Sequence, residues 1–125
     1  MKKVLLVEDD PFLIDIYSTK LSESGFEVHL AKDGGDALDS CKKFKPDVII
    51  LDIVLPHTDG WQILKQLKAE EGLKDVKIII LSNLSQKEEV EKGLSLGADK
   101  YLIKSDYTPT QVVGEISKFF DLKNN

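Results

Sequence analysis

Apolar residues fall along this chain in two alternating rhythms. The runs Val4 to Val7, Val48 to Leu51, Val76 to Leu81 and Tyr101 to Ile103 are apolar with little or no polar alternation. Such runs predict strands buried on both faces, as in a parallel sheet. Phe26 to Leu30 alternates weakly, with Phe26, Val28 and Leu30 set against Glu27 and His29, and predicts an edge-like strand. Between these runs the spacing turns helical. Leu13, Ile16, Tyr17 and Leu21 predict a helix capped by Asp10, opened by Pro11 and closed by Gly25. After a turn at Asp33, Gly34 and Gly35, a second helix carries Ala37, Leu38 and Cys41 to about Phe44, and Pro46 leads into the central strand. Pro56, Asp59 and Gly60 mark a loop. Trp61, Ile63, Leu64 and Leu67 then predict a third helix, stopped at Gly72. A fourth, about Lys87 to Leu96, has few anchors (Val90, Leu94) and contains Gly93, which costs about 1 kcal/mol relative to Ala. Thr108-Pro109-Thr110-Gln111 reads as a capping box with Pro at the first helical position. The helix that follows carries Val112, Val113, Ile116, Phe119 and Phe120, and Asp121 to Asn125 reads as a polar tail.

The order is strand then helix, five times over. Parallel strands joined by right-handed helical crossovers make a sheet covered on both faces, so the expected fold is a doubly wound five-stranded parallel α/β sheet. The 125 residues suit one domain, 1–125, and a hydrophobic content of 42 % supplies one core. The single cysteine, Cys41, allows no internal disulfide and reads as an inert helical thiol. A net charge of −5 without a basic block argues against nucleic acid as the main partner. The start, MKKVLLVEDD, is too short in its apolar part for a signal peptide, and no stretch approaches the roughly 18 apolar residues of a membrane span. A cytoplasmic protein is expected.

In a parallel sheet the strand ends share one edge, and ligands gather there, where strand order reverses. The first strand ends at Glu8 and Asp9, the third at Asp52, the fourth at Ser82 and Asn83, and the fifth at Lys104. Each residue alone is ordinary, since strands often stop at a charged surface residue. Together they gather three carboxylates, a hydroxyl and an ammonium. Packed carboxylates raise one another's pKa, and a hard divalent cation relieves that conflict. Mg²⁺ suits the site because it takes oxygen ligands from one or two carboxylates plus a phosphate. Lys104 is a point charge for a phosphate oxygen and Ser82 a hydrogen-bond donor to another. Asp52, in the middle, is then a candidate nucleophile of the aspartyl-phosphate kind, since phosphoryl transfer asks mostly for positioning and charge stabilisation.

These residues resemble the receiver domain of bacterial two-component response regulators, of the chemotaxis-regulator kind. The matching motifs are VEDD at Val7 to Asp10, DIVLPHTDG at Asp52 to Gly60, IILSN at Ile79 to Asn83 and YLIK at Tyr101 to Lys104, and the likeness runs from Lys2 to about Leu122. The resemblance implies a flavodoxin-like sheet of order 2-1-3-4-5 and a phosphorelay switch rather than an enzyme. It implies that Asp52 accepts a phosphoryl group from a histidine kinase or phosphotransfer protein, and that the domain assists its own phosphorylation and dephosphorylation. By the same match Asp9 and Asp52 bind Mg²⁺ directly, the backbone carbonyl of Val54 adds a ligand, and Glu8 acts through water. Lys104 binds the phosphate, Ser82 is the switch hydroxyl with Asn83 beside it, and Tyr101 is the rotamer switch. An unidentified downstream protein, met through the fourth helix, fifth strand and last helix, completes the expectation, with a monomer or weak dimer.

Three acids, Glu8, Asp9 and Asp10, stand where the family uses two; counting from Leu5-Leu6-Val7 favours Glu8 and Asp9 and leaves Asp10 as the helix cap. Two positions depart from the family. Ser105 stands where Pro usually follows the lysine with a cis peptide; without Pro a cis bond costs about 3–4 kcal/mol, so trans is expected. Asn83 replaces a small residue and narrows access to Asp52. Other readings fit less well. A haloacid-dehalogenase-like phosphatase wants a second Asp where Val54 stands. A flavin site wants a Ser, Thr or Gly loop where Glu8-Asp9-Asp10-Pro11 would repel phosphate. A pseudo-receiver would lack an acid or the lysine. His29 and His57 read as surface residues, Trp61 as packing, and Lys42, Lys43 and Lys45 as a solvated face. Part of the apolar set on the last helix is expected to be left over for a partner. The sequence fits both a stand-alone receiver and a domain excised from a larger regulator, and Lys123-Asn124-Asn125 has the look of a natural tail.

Overall fold

The computed structural model describes residues 2–121. The expected tail beyond Asp121, and the end of the family likeness at Leu122, lie outside the described residues. In chain order the elements are β1 (Lys3–Val7), α1 (Pro11–Glu23), β2 (Glu27–Ala31), α2 (Gly34–Phe44), β3 (Val48–Leu51), β4 (Val54–Leu55), β5 (Thr58–Asp59), α3 (Gly60–Ala69), β6 (Lys77–Ser82), α4 (Lys87–Ser95), β7 (Lys100–Ile103) and α5 (Pro109–Asp121). Five strands form one parallel sheet in the order β2-β1-β3-β6-β7. Counted along the chain as the five long strands, this is the expected 2-1-3-4-5.

The sequence pattern explains the layers. Successive residues of a strand point to opposite faces. Leu5, Val7, Ile49, Leu51, Ile78 and Ile80 therefore pack on one side with Ala37 and Cys41 of α2 and Ile63, Leu64 and Leu67 of α3. Val4, Leu6, Val48, Ile50, Ile79 and Leu81 pack on the other with Tyr17 and Leu21 of α1 and Val112, Val113 and Ile116 of α5. Every residue of β3 is buried, because β1 and β6 flank it and helices cover both faces.

Helix starts follow local chemistry. Asp10 accepts hydrogen bonds from the Phe12 and Leu13 amides ahead of Pro11. The Thr108 amide donates to Gln111 Oε1 at 2.8 Å while the Gln111 amide donates to Thr108 Oγ1 at 3.1 Å, the reciprocal bonds of a capping box.

Several expectations are corrected. Gly34 and Gly35 open α2 rather than forming a turn, because Asp33 caps the helix by accepting from the Asp36 amide. A β-carbon on Gly34 would lie 1.7 Å from Ile63 Cδ1, so the Ile63 side chain of α3 occupies the space that glycine leaves open. The stretch after Asp52 is a small antiparallel hairpin, β4 with β5, rather than an open loop, and Gly60 begins α3. That helix ends at Ala69, and Gly72 sits in a separate 3-10 turn, Glu71–Leu73. Leu94 does not anchor α4; it is 45 % exposed. The buried residue of α4 is Gly93, whose missing side chain admits Ile80 and Tyr101. No peptide bond among the described residues is cis, so Lys104–Ser105 is trans, at the start of a 3-10 turn, Lys104–Asp106.

Candidate functional site

The C-terminal edge of the sheet carries the site. The main chain fixes its acids first. The Glu8 amide donates to the Ala31 carbonyl at 3.1 Å and the Asp52 amide to the Val7 carbonyl at 3.1 Å, which extends the sheet one residue past β1 and β3. Both side chains are therefore held where strands end between covering helices, and both are buried, Glu8 at 2 % and Asp52 at 5 % exposure. Their oxygens are satisfied. Glu8 Oε2 accepts from the Asp9 and Asp10 amides at 3.2 and 3.1 Å, and Asp52 Oδ1 accepts from the Val54 amide at 3.1 Å.

Lys104, from the end of β7, bridges the two acids. Its ammonium lies 2.7 Å from Asp52 Oδ2 and 2.8 Å from Glu8 Oε1. Burial works against the charge of Lys104, yet the hydrogen bonds to Asp52 and Glu8 outweigh it and hold the ammonium above its ordinary pKa. Burial also raises the pKa of Glu8, more than its bonds to Lys104 and the Asp10 amide lower it. Asp9 is exposed, and carboxylate oxygens of Glu8, Asp9 and Asp52 lie within 4.8 Å of one another. A cleft of ≈ 300 Å³ opens over them, lined by Glu8, Asp9, Asp10, Leu13, Asp52, Val54, Asn83 and Lys104. Three hard carboxylates against one ammonium make a donor set suited to a divalent cation.

The structure thus brings Glu8, Asp9, Asp52, Val54, Asn83 and Lys104 to one cleft. Asn83 is exposed on its rim. Asp10 lines it too, while its side chain caps α1. Ser82 is wholly buried at the end of β6, and its Oγ accepts from the Leu84 amide at 3.3 Å. Tyr101 is half-buried and its hydroxyl donates to the Leu84 carbonyl at 2.7 Å; burial raises its pKa. Leu84 therefore joins Ser82 to Tyr101 through its own main chain. Sequence reasoning did not single out Leu84, although a serine whose oxygen binds the amide two residues on is a known turn signal. It placed Leu13 on the first helix but not in the cleft, and passed over the close approach at Gly60, where a β-carbon would lie 2.3 Å from the Ile53 carbonyl oxygen. His57 is exposed at the hairpin tip, and His29 is exposed and stacks on Phe44, ring centres 4.9 Å apart. Cys41 is buried, and burial pushes its thiol up to about 11, as an inert core residue requires.

Known proteins share this sequence pattern and fold. The family model of the response regulator receiver domain matches residues 4–116. The alkaline phosphatase synthesis transcriptional regulatory protein PhoP of Bacillus subtilis is 37 % identical over 113 residues, 89 % of this chain and 45 % of its own length. The chain spans about half the length of the curated relatives it matches. A CheY-like receiver domain protein from Methanospirillum hungatei superposes with a TM-score of 0.88 at 25 % identity, covering 99 % of this chain and 97 % of that one. The phosphorylated cyanobacterial phytochrome response regulator RcpA superposes with a TM-score of 0.84 at 27 % identity, covering 98 % and 95 %. A flavodoxin-like sheet of this order, carboxylates and a lysine at its edge, and a family match over most of the chain lead to one conclusion: the chain belongs to the receiver domains of response regulators, the phosphorylation-activated switches of two-component signalling.

Proposed function

We propose that Asp52 is the residue that accepts the phosphoryl group, from a phosphohistidine of a histidine kinase or phosphotransfer protein, with Mg²⁺ as the assisting cation. One observation carries this reading: half-buried Lys104 is held at 2.7 and 2.8 Å between Asp52 and Glu8, with Asp9 close enough to complete a three-carboxylate cluster. Asp9, Asp52 and the backbone carbonyl of Val54 would hold Mg²⁺, with Glu8 acting through water. When bound, the cation supplies positive charge opposite the phosphoryl oxygens. An Asp52 carboxylate oxygen bonds to phosphorus, the phosphorus–nitrogen bond to the donor imidazole breaks, and that nitrogen keeps the electron pair. Lys104 turns from the carboxylate to a phosphoryl oxygen, and the Ser82 hydroxyl donates to another.

The same bonds supply the switch. Drawing Ser82 towards the phosphoryl group moves Leu84, and the Leu84 carbonyl releases or retains the Tyr101 hydroxyl. The output face is α4, β7 and α5, where a downstream protein or an attached domain binds differently in the two states. The name of the relative, a transcriptional regulatory protein, supports control of transcription as one output. No helix among the described residues is long and apolar enough to cross a membrane.

Mg²⁺ titration tests the ligand set. Asp9→Ala is expected to weaken binding about tenfold or more, since even outer-shell partners of a metal are worth that much, with unchanged circular dichroism. Equal affinity in that variant overturns the assignment. With Mg²⁺ and beryllofluoride, backbone amide shifts are expected to concentrate from Ser82 to Ser95 and around Tyr101. Shifts confined to α1, with Tyr101 silent, overturn the output face.

A further inference from the structure

Helix α4 is held by few contacts, and one of them is unlike the rest. Gly93 is its buried residue, against Ile80 and Tyr101. The neighbouring Lys92 places its ammonium 4.6 Å from the centre of the Trp61 ring. No ion pair among the described residues includes Lys92. Its charge is spent on the indole face, the strongest aromatic partner for a cation.

Trp61 is itself tied to the phosphorylation site. It follows Gly60, whose amide donates to the Ile53 carbonyl at 3.2 Å and whose place admits no β-carbon. Ile53 is the residue after Asp52. The Trp61 amide is fixed by Asp59 Oδ1 at 3.0 Å, and the half-buried ring packs on the core between the sheet and α3. The main chain that carries the ring is thus tied to the residue after Asp52. Lys92 is a movable group on the helix that responds.

We propose that the Lys92–Trp61 contact is a latch that holds α4 against α3 in the resting state, so that Lys92 is a positioning residue setting the balance between the two states of the switch. The proposal rests on the switch reading above and adds a second connection from the Asp52 loop to α4, separate from Ser82, Leu84 and Tyr101. Moving α4 breaks the latch. A variant that never forms it starts closer to the activated arrangement and binds the phosphoryl group more readily, because coupling between sites is reciprocal.

The test compares the parent with Lys92→Gln and Lys92→Arg. Two readouts are used: amide exchange of Lys87–Ser95 without ligand, and the concentration of beryllofluoride, with Mg²⁺, that half-saturates the protein. An exposed cation–π contact corresponds to about a two- to fivefold shift in such an equilibrium. Lys92→Gln is expected to exchange faster in α4 and to saturate at about two- to fivefold lower beryllofluoride, while Lys92→Arg, which keeps a cation over the ring, behaves as the parent. If Lys92→Gln matches the parent in both readouts, the latch is overturned and the switch reading stands. If Lys92→Arg behaves as Lys92→Gln, the contact does not act through charge on the ring, and the proposal also falls. A parent that shows no response to beryllofluoride overturns the switch reading and the latch with it.

Discussion

At the scale of single residues, the site is a compromise among charges. Glu8 is buried more deeply than its bonds to Lys104 and the main chain repay, and its pKa is raised for that reason. A raised carboxyl pKa means that the folded state holds its proton more tightly than the unfolded state does. The stability it contributes is fully present below the ordinary value of 4.5 and is lost as pH rises through the raised value. Glu8→Gln, which cannot titrate, is therefore expected to gain on the parent as pH rises from below 4.5 towards neutrality. Thermal melts across that range check this, and a stability difference independent of pH would contradict it. A second residue carries backbone strain. His57 has φ of +57° at the tip of the β4–β5 hairpin, in the left-handed region that costs a side chain about 1–2 kcal/mol. His57→Gly is expected to raise stability by about 1 kcal/mol after the extra freedom of unfolded glycine is deducted, seen as a Tm higher by about 3–5 °C. A lower Tm would show that the imidazole makes a contact that matters. Glu8, Asp9, Asp52, Ser82 and Lys104 were legible in the sequence because each ends a buried apolar run, which fixes its place on one edge. Leu84 was not, because it acts through its amide and carbonyl, which every residue has.

At the scale of elements, hydrophobic period was a good guide wherever an element was long enough to show one. The five sheet strands and five helices follow the apolar runs and helical spacing, with ends displaced by a residue or two. The β4–β5 hairpin escaped because two-residue strands have no period to read. The anchor of α4 escaped for a different reason. Apolar counting selects Leu94, whereas the close contact is made where a side chain is missing, at Gly93. Gly60 works the same way and is more demanding. A β-carbon there would lie 2.3 Å from the Ile53 carbonyl oxygen and 2.4 Å from its Cα, and neither atom can swing aside as a side-chain tip does. Gly60→Ala is expected to cost about 3 kcal/mol, at the upper end of ordinary overpacking, and to displace the loop that carries Asp52. Urea unfolding together with Mg²⁺ affinity checks this. A variant as stable as the parent would mean that the hairpin and the start of α3 can separate freely.

At the scale of the whole molecule, one topological fact organises the chemistry. In the order β2-β1-β3-β6-β7, the strands that carry Glu8 and Asp52 are neighbours, and β7 delivers Lys104 across the end of β6. On the proposed assignment, the charge that a phosphoryl group adds falls where three carboxyl groups face one ammonium. On the proposed switch, the groups that hold α4 rearrange to accept it, and that would link site to surface. The central claim is that Asp52 alone accepts the phosphoryl group. Intact-mass spectrometry of the protein incubated with acetyl phosphate and Mg²⁺, beside Asp52→Asn, tests it most directly. The account predicts one added phosphoryl group on the parent and none on the variant, whereas equal labelling of Asp52→Asn would contradict it.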